Sequence, residues 1–155
     1  MGSFEVSRSE TINAEPARIH ALIDDFHEWT KWSPWEDVDP DLQRTYTGPD
    51  SGTGAAYAWS GNRKAGQGSM TITSSTPERI GVQLSFLKPW KATNDVTFSF
   101  TPTGSGTEVT WRMTGENKGM AGIVVKVFSM EKLVGKDMEK GLARLKANAE
   151  ITPQG

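Results

Sequence analysis

The chain has 155 residues, a length suited to one domain with a core of its own. It contains no cysteine, which excludes a disulfide framework and a thiolate metal site and fits a reducing compartment. Lys and Arg number 17 against 19 Asp and Glu, a net charge of -2 with no block of like charge, so nothing favours nucleic acid or an anionic membrane as partner.

The start, Met1-Gly2-Ser3-Phe4-Glu5-Val6, lacks the basic and apolar run of a signal peptide. Val6 stands where a myristoylation signal wants Ser or Thr. The longest apolar stretch, Met120 to Val125, is too short to span a bilayer. A soluble, cytoplasmic protein without membrane insertion is expected. In the first predicted strand Phe4, Val6 and Ile12 share a parity with Arg8 and Glu10. Either a bulge shifts the register between them or two charges face inward; the reading favoured for Arg8 and Glu10 is a surface pair at the sheet edge.

A first helix follows. Pro16 fits its first turn, and Ile19, Leu22, Ile23 and Phe26 recur at i, i+3, i+4 and i+7 as one apolar stripe. The segment Trp29 to Asp41 carries two prolines and reads as a short helix and loop. The middle of the chain then alternates with period two. Leu42, Arg44 and Tyr46 share one parity, Tyr57 and Trp59 another pair, then Met70 and Ile72. Ile80, Val82, Leu84 and Phe86 follow, then Val96, Phe98 and Phe100, then Val109, Trp111 and Met113. This is the habit of an antiparallel sheet covered on one face. Gly61-Asn62, Thr76-Pro77 and Gly104-Ser105-Gly106 supply hairpin turns, so the order is a meander.

The last element is a long helix, with Ile123, Val127, Met130, Val134, Met138, Leu142, Leu145 and Ala149 in one stripe. A continuous helix from Lys118 to Ala149 would measure about 48 Å, which exceeds a domain of this size, so a break is expected near Ser129 or Gly135. The whole is an α+β protein of about seven antiparallel strands. The last helix can bury its stripe only on the apolar face of the sheet, and a curved sheet around a helix leaves a space for a ligand.

The segments Ile12-Asn13-Ala14-Glu15-Pro16 and Asp25-Phe26-His27-Glu28-Trp29-Thr30-Lys31-Trp32-Ser33-Pro34-Trp35 resemble the opening of the START/polyketide-cyclase (SRPBCC) superfamily. Tyr46-Thr47-Gly48-Pro49, Trp59-Ser60-Gly61-Asn62, Gly106-Thr107-Glu108-Val109-Thr110-Trp111 and Gly141-Leu142-Ala143-Arg144-Leu145-Lys146 extend the likeness over about residues 4 to 150. The resemblance implies a single START-like helix-grip domain over 1-155 with a hydrophobic cavity under the last helix. It implies no reaction, because one fold hosts many functions.

Catalytic and metal chemistry find little support. His20 and His27 are the only histidines, and on one helix they would stand about 10.5 Å apart, too far to share a zinc. His27-Glu28-Trp29-Thr30-Lys31 begins like a zinc-protease motif but ends in Lys where the second His belongs. No Ser, His and acid cluster in a recognisable order, and no catalytic residue, metal or cofactor is assigned. Gly52-Thr53-Gly54 and Gly66-Gln67-Gly68 lie between strands and read as hairpin glycines rather than phosphate cradles.

The expected partner is a small hydrophobic molecule, lipid-like, polyketide-like or aromatic. Its candidate contacts are Trp35, Tyr46, Tyr57, Trp59, Met70, Phe86, Trp111, Met113 and Phe128. Trp59, Trp111, Met70, Met113 and Phe128 have a second reading as core filling, and Tyr46, like Arg44, is open as to whether it points inward. Trp29, Trp32 and Trp35 lie three apart and are expected chiefly to plug one end of the core; the alternative reading places Trp35 at the rim of the cavity. Two other function classes stand behind the carrier: a cyclase or dehydratase, and a protein-interaction module with a collapsed cavity. No feature specifies an oligomeric state.

Overall fold

The computed structural model describes the backbone of residues 2–34, 41–62, 66–88, 92–117 and 123–150, with side chains over 5–34, 41–62, 66–87, 93–115 and 134–150. The elements run β1 (Gly2–Ile12), α1 (Pro16–Ile23), a 3₁₀ helix (Phe26–Lys31), β2 (Gln43–Thr47), β3 (Ala56–Ser60), β4 (Gln67–Thr76), β5 (Arg79–Lys88), β6 (Ala92–Pro102), β7 (Thr107–Asn117) and α2 (Ile123–Glu150). The seven strands form one antiparallel sheet in the order β1-β7-β6-β5-β4-β3-β2. The period-two alternation thus builds the expected meander, closed on its β7 side by the N-terminal strand.

The ambiguity in β1 is resolved by its partner. β1 pairs with β7 in unbroken register from Gly2↔Asn117 to Ile12↔Thr107, so no bulge intervenes. Arg8 and Glu10 therefore share a face with the fully buried Val6 and Ile12. Arg8 pairs with Glu139 of α2, at 2.8 Å, rather than with Glu10. Its guanidinium crosses α2 at Gly135, where an added Cβ would lie 2.2 Å from Nη2.

That crossing corrects the expectation of a helix break. α2 is continuous over 28 residues, about 42 Å. Gly135 sits inside it as a notch for Arg8, not as a hinge, and Ser129 lies within the same uninterrupted helix. The length is accommodated because α2 runs along β1 and passes α1 and the 3₁₀ helix at its C-terminal end. The proposed start at Lys118 lies outside the described residues.

The expected stripe of the first helix is divided. α1 ends at Ile23, and Phe26 belongs to the 3₁₀ helix instead, whose N-cap Asp25 accepts from the His27 amide. A helix end leaves carbonyls without partners. Here two indoles supply them: Trp29 Nε1 donates to the Ile23 carbonyl at 2.7 Å, and Trp32 Nε1 to that of Leu22 at 2.8 Å. The rings then wedge into the core, Trp32 meeting Phe98 and Trp111 edge-on. Trp29 and Trp32 thus form the aromatic plug expected of them, whereas Trp35 lies outside the described residues.

The C-terminal turns of α2 are tied down by polar contacts. Arg144 donates to the Ser33 carbonyl, Asn148 to that of Lys31, and Arg18 to that of Ala149. Glu150 accepts from Lys146 and from the Asn13 amide, and the Lys146 ammonium, then the Asn13 N–H, hold its carboxyl below the usual range. Met138, Leu142 and Leu145 are fully or almost fully buried beneath, and Val134 packs against the core at its partly open end. Gly141 lets the helix settle there, since a Cβ would come within 2.9 Å of both Trp111 and Pro34.

Candidate ligand-binding face

Register decides which side chains share a face, because opposed residues of an antiparallel pair point the same way. Following the pairs across the sheet gives one row of Tyr46, Tyr57, Met70, Leu84, Asn94 and Gly115. The row on one side contains Arg44, Trp59, Gly68 and Phe86. The row on the other contains Ile72, Val82, Val96, Met113 and Val6. One step further lie Ile80, Phe98, Trp111 and Arg8. All seven candidates carried by strands stand on this one concave face, the side on which α2 meets Arg8. Arg44, whose orientation the sequence left open, stands there too, at the exposed edge strand.

Burial is graded along these rows. In the deep row Ile80 and Phe98 are 0% exposed and Trp111 1%. In the row through the sheet centre Tyr57 and Met70 keep 8%, Asn94 7% and Leu84 6%. A side chain inside a fold keeps residual exposure where the packing beside it is open, since close-packed interiors leave no room for solvent. Trp111 is enclosed by Trp32, Phe98 and Gly141. Tyr46, Tyr57, Trp59 and Phe86 instead form a continuous aromatic wall, with successive centroids 5.3, 6.1 and 5.8 Å apart. Trp59 lies over Gly68, whose missing Cβ would sit 2.7 Å from the indole. Trp35 and the side chain of Phe128 lie outside the described residues.

The wall continues to the surface. Tyr46 stacks on His27 at 4.0 Å and 20°, and His27 Nδ1 meets Asp25 at 2.7 Å. A pocket of about 170 Å³ opens here, bounded by Phe26, His27, Tyr46, Pro49 and Asp50. On the opposite, outer face of the sheet a shallow depression of about 320 Å³ is lined by polar groups including Thr73, Arg79, Asp95 and Arg112.

Two arrangements escaped the sequence. Asn94, two residues before Val96, continues the inward parity of β6; the polar residue masked the alternation. His20, Asp24 and Ser75 converge from α1 and β4, with Ser75 Oγ donating to Asp24 at 2.7 Å and 3.3 Å from His20 Nε2. A hydrolytic triad places the acid on the histidine. Here the acid takes the serine proton, and the cluster ties α1 to the sheet. Among the described residues no three His, Asp or Glu side chains gather to hold a metal ion. No described helix is long and apolar enough to cross a membrane.

Comparison with known proteins agrees with this fold. The family model described as polyketide cyclase / dehydrase and lipid transport matches residues 3–150. The solved structure of protein MLL2253 from Mesorhizobium loti superposes with a TM-score of 0.71 at 13% identity, covering 97% of this chain and 99% of that one. The KanY protein gives 0.65 at 20% identity, with 97% and 99% covered. Ara h 8.0201 gives 0.68 at 12% identity, with 96% and 98% covered. At these identities the likeness is one of fold. No curated protein matches in sequence.

Proposed function

The chain belongs to the polyketide cyclase/dehydrase and lipid transport family, and we propose that it binds or carries a small hydrophobic molecule between the concave face of its sheet and α2. The observation that carries this reading is the graded burial of the concave face. The row Tyr57, Met70, Leu84 and Asn94 retains exposure that the row Ile80, Phe98 and Trp111 lacks. Tyr46, Tyr57, Trp59, Met70, Phe86 and Met113 then form the wall of the site, and Trp111 its floor. Trp35 and Phe128 remain contacts suggested by the sequence. Aromatic rings and thioethers suit such a wall, because they give large apolar area and adapt to varied shapes. The cysteine-free composition agrees with a cytoplasmic location.

Native mass spectrometry of gently purified protein tests the reading. A carried molecule appears as discrete added mass that is lost on denaturation. Bare protein throughout, together with no uptake from an added lipid extract, would exclude carriage.

A further inference from the structure

We propose that the depression on the outer face of the sheet, centred on Gly81, binds a small zwitterion, a short peptide with free ends, taking its carboxylate at Arg79 and its ammonium at Asp95. The site lies on the opposite face from the hydrophobic one and is independent of it. Gly81 stands in the interior of β5, between Ser74 on β4 and Thr97 on β6. Glycine inside a strand weakens it, and marks a bulge or a place where something comes close to the backbone. The bulge is present, since the pairing of β4 shifts register between Ile72 and Ser74. A Cβ at Gly81 would stand 2.7 Å from Ser74 Oγ and 3.1 Å from Thr73 Oγ1. Without it, bare backbone lines a depression of about 320 Å³.

The walls choose the ligand. Val82 and Val96 border the depression, but their side chains are buried on the concave side. The outer face offers instead the hydroxyls of Thr73, Thr97 and Thr114, with Arg79, Asp95 and Arg112, so an apolar molecule gains little there. Arg112 is committed: it grips Glu5 twice, Nε to Oε2 at 2.9 Å and Nη2 to Oε1 at 3.0 Å. Arg79 and Asp95 are exposed and make no ion pair or side-chain hydrogen bond among the described residues. Nor do they pair with each other. Arg79 stands opposite Ser99 and Asp95 opposite Gln83, four residues apart along the strands, or about 14 Å at 3.4 Å per residue. One cation and one anion thus border a single depression. A molecule charged oppositely at its two ends bridges them, its carboxylate on the guanidinium fork and its ammonium on the carboxylate. The hydroxyls between, donors and acceptors alike, suit a peptide amide. A lone anion or a lone cation satisfies one end only.

The test follows ¹H–¹⁵N spectra of the full chain under titration with three peptides. These are glycylglycine, N-acetylglycylglycine, which lacks the ammonium, and glycylglycinamide, which lacks the carboxylate. Exposed ion pairs are weak, so binding is expected in the millimolar range, with glycylglycine about three- to fivefold tighter than either capped form. The amide signals of Ser74, Gly81 and Thr97 should move together and saturate. Asp95→Asn should remove the advantage over the N-acetyl form, and Arg79→Gln the advantage over the amide. Both are surface changes and should keep the dispersed spectrum of the parent. Equal binding of the three peptides, an advantage that survives these substitutions, shifts confined to other residues, or no saturable shift at high millimolar peptide would each overturn the site. None of these outcomes bears on the concave face, which native mass spectrometry tests separately.

Discussion

Gly141 is where α2 comes down onto Trp111 and Pro34, and a larger residue has nowhere to go. Gly141→Val should destabilise by about 1–3 kcal/mol, the usual effect of overpacking a filled core. Urea unfolding checks it; an unchanged midpoint would mean that the helix stands further from the sheet. Trp32 acts as both wedge and cap. Trp32→Phe keeps much of the ring but removes the donor to the part-buried Leu22 carbonyl, and should cost about 1–3 kcal/mol from the lost hydrogen bond and the lost ring volume together. Trp32 was legible as packing from its spacing to Trp29, but its capping bond was not, because the helix it caps ends ahead of the predicted stripe.

At the scale of elements, α2 presents a graded stripe: Met138 is 0% exposed, while Val134 is only half-buried. Both Val134→Asp and Met138→Asp should destabilise, the second more, because an unpaired carboxylate at a fully buried position has no route to water. Thermal melts giving equal losses would contradict this facing of the helix. The last turn adds a pH dependence. The carboxyl of Glu150 titrates below its unfolded value, so its contribution is present above the ordinary carboxylate range and lost as pH falls through the depressed folded value. The stability difference between the parent and Glu150→Gln should therefore shrink on acidification from neutral pH; a difference that grows would contradict the contact. The stripe of α2 was plain from its period. Its continuity was not, since the reason Gly135 is no hinge lies on β1, more than a hundred residues away.

For the whole molecule, sheet order and facing follow from local alternation and short turns, which is why the strands and the inward parity of Tyr57, Trp59, Met70, Phe86, Trp111 and Met113 were legible. The interior is less so. Two inward tryptophans with the same parity, Trp59 and Trp111, differ in surroundings because Trp32 and Gly141 close in on only one of them. Such contacts join residues far apart in the chain and leave no periodic trace. The same holds for Ser75, which meets α1 across 51 residues.

The central claim is that the aromatic wall faces a space filled by an apolar ligand. Intrinsic tryptophan fluorescence under titration with fatty acids, sterols and aromatic polyketides tests it directly, with Trp59→Phe to identify the reporter. A lipid-sized ligand buried at about 25 cal/mol per Å² reaches micromolar affinity after association costs. The account predicts a saturable change with at least one ligand class, much reduced in Trp59→Phe although that variant melts like the parent. A fluorescence signal that stays linear and unsaturated with every class, in a protein shown to be folded, would contradict it.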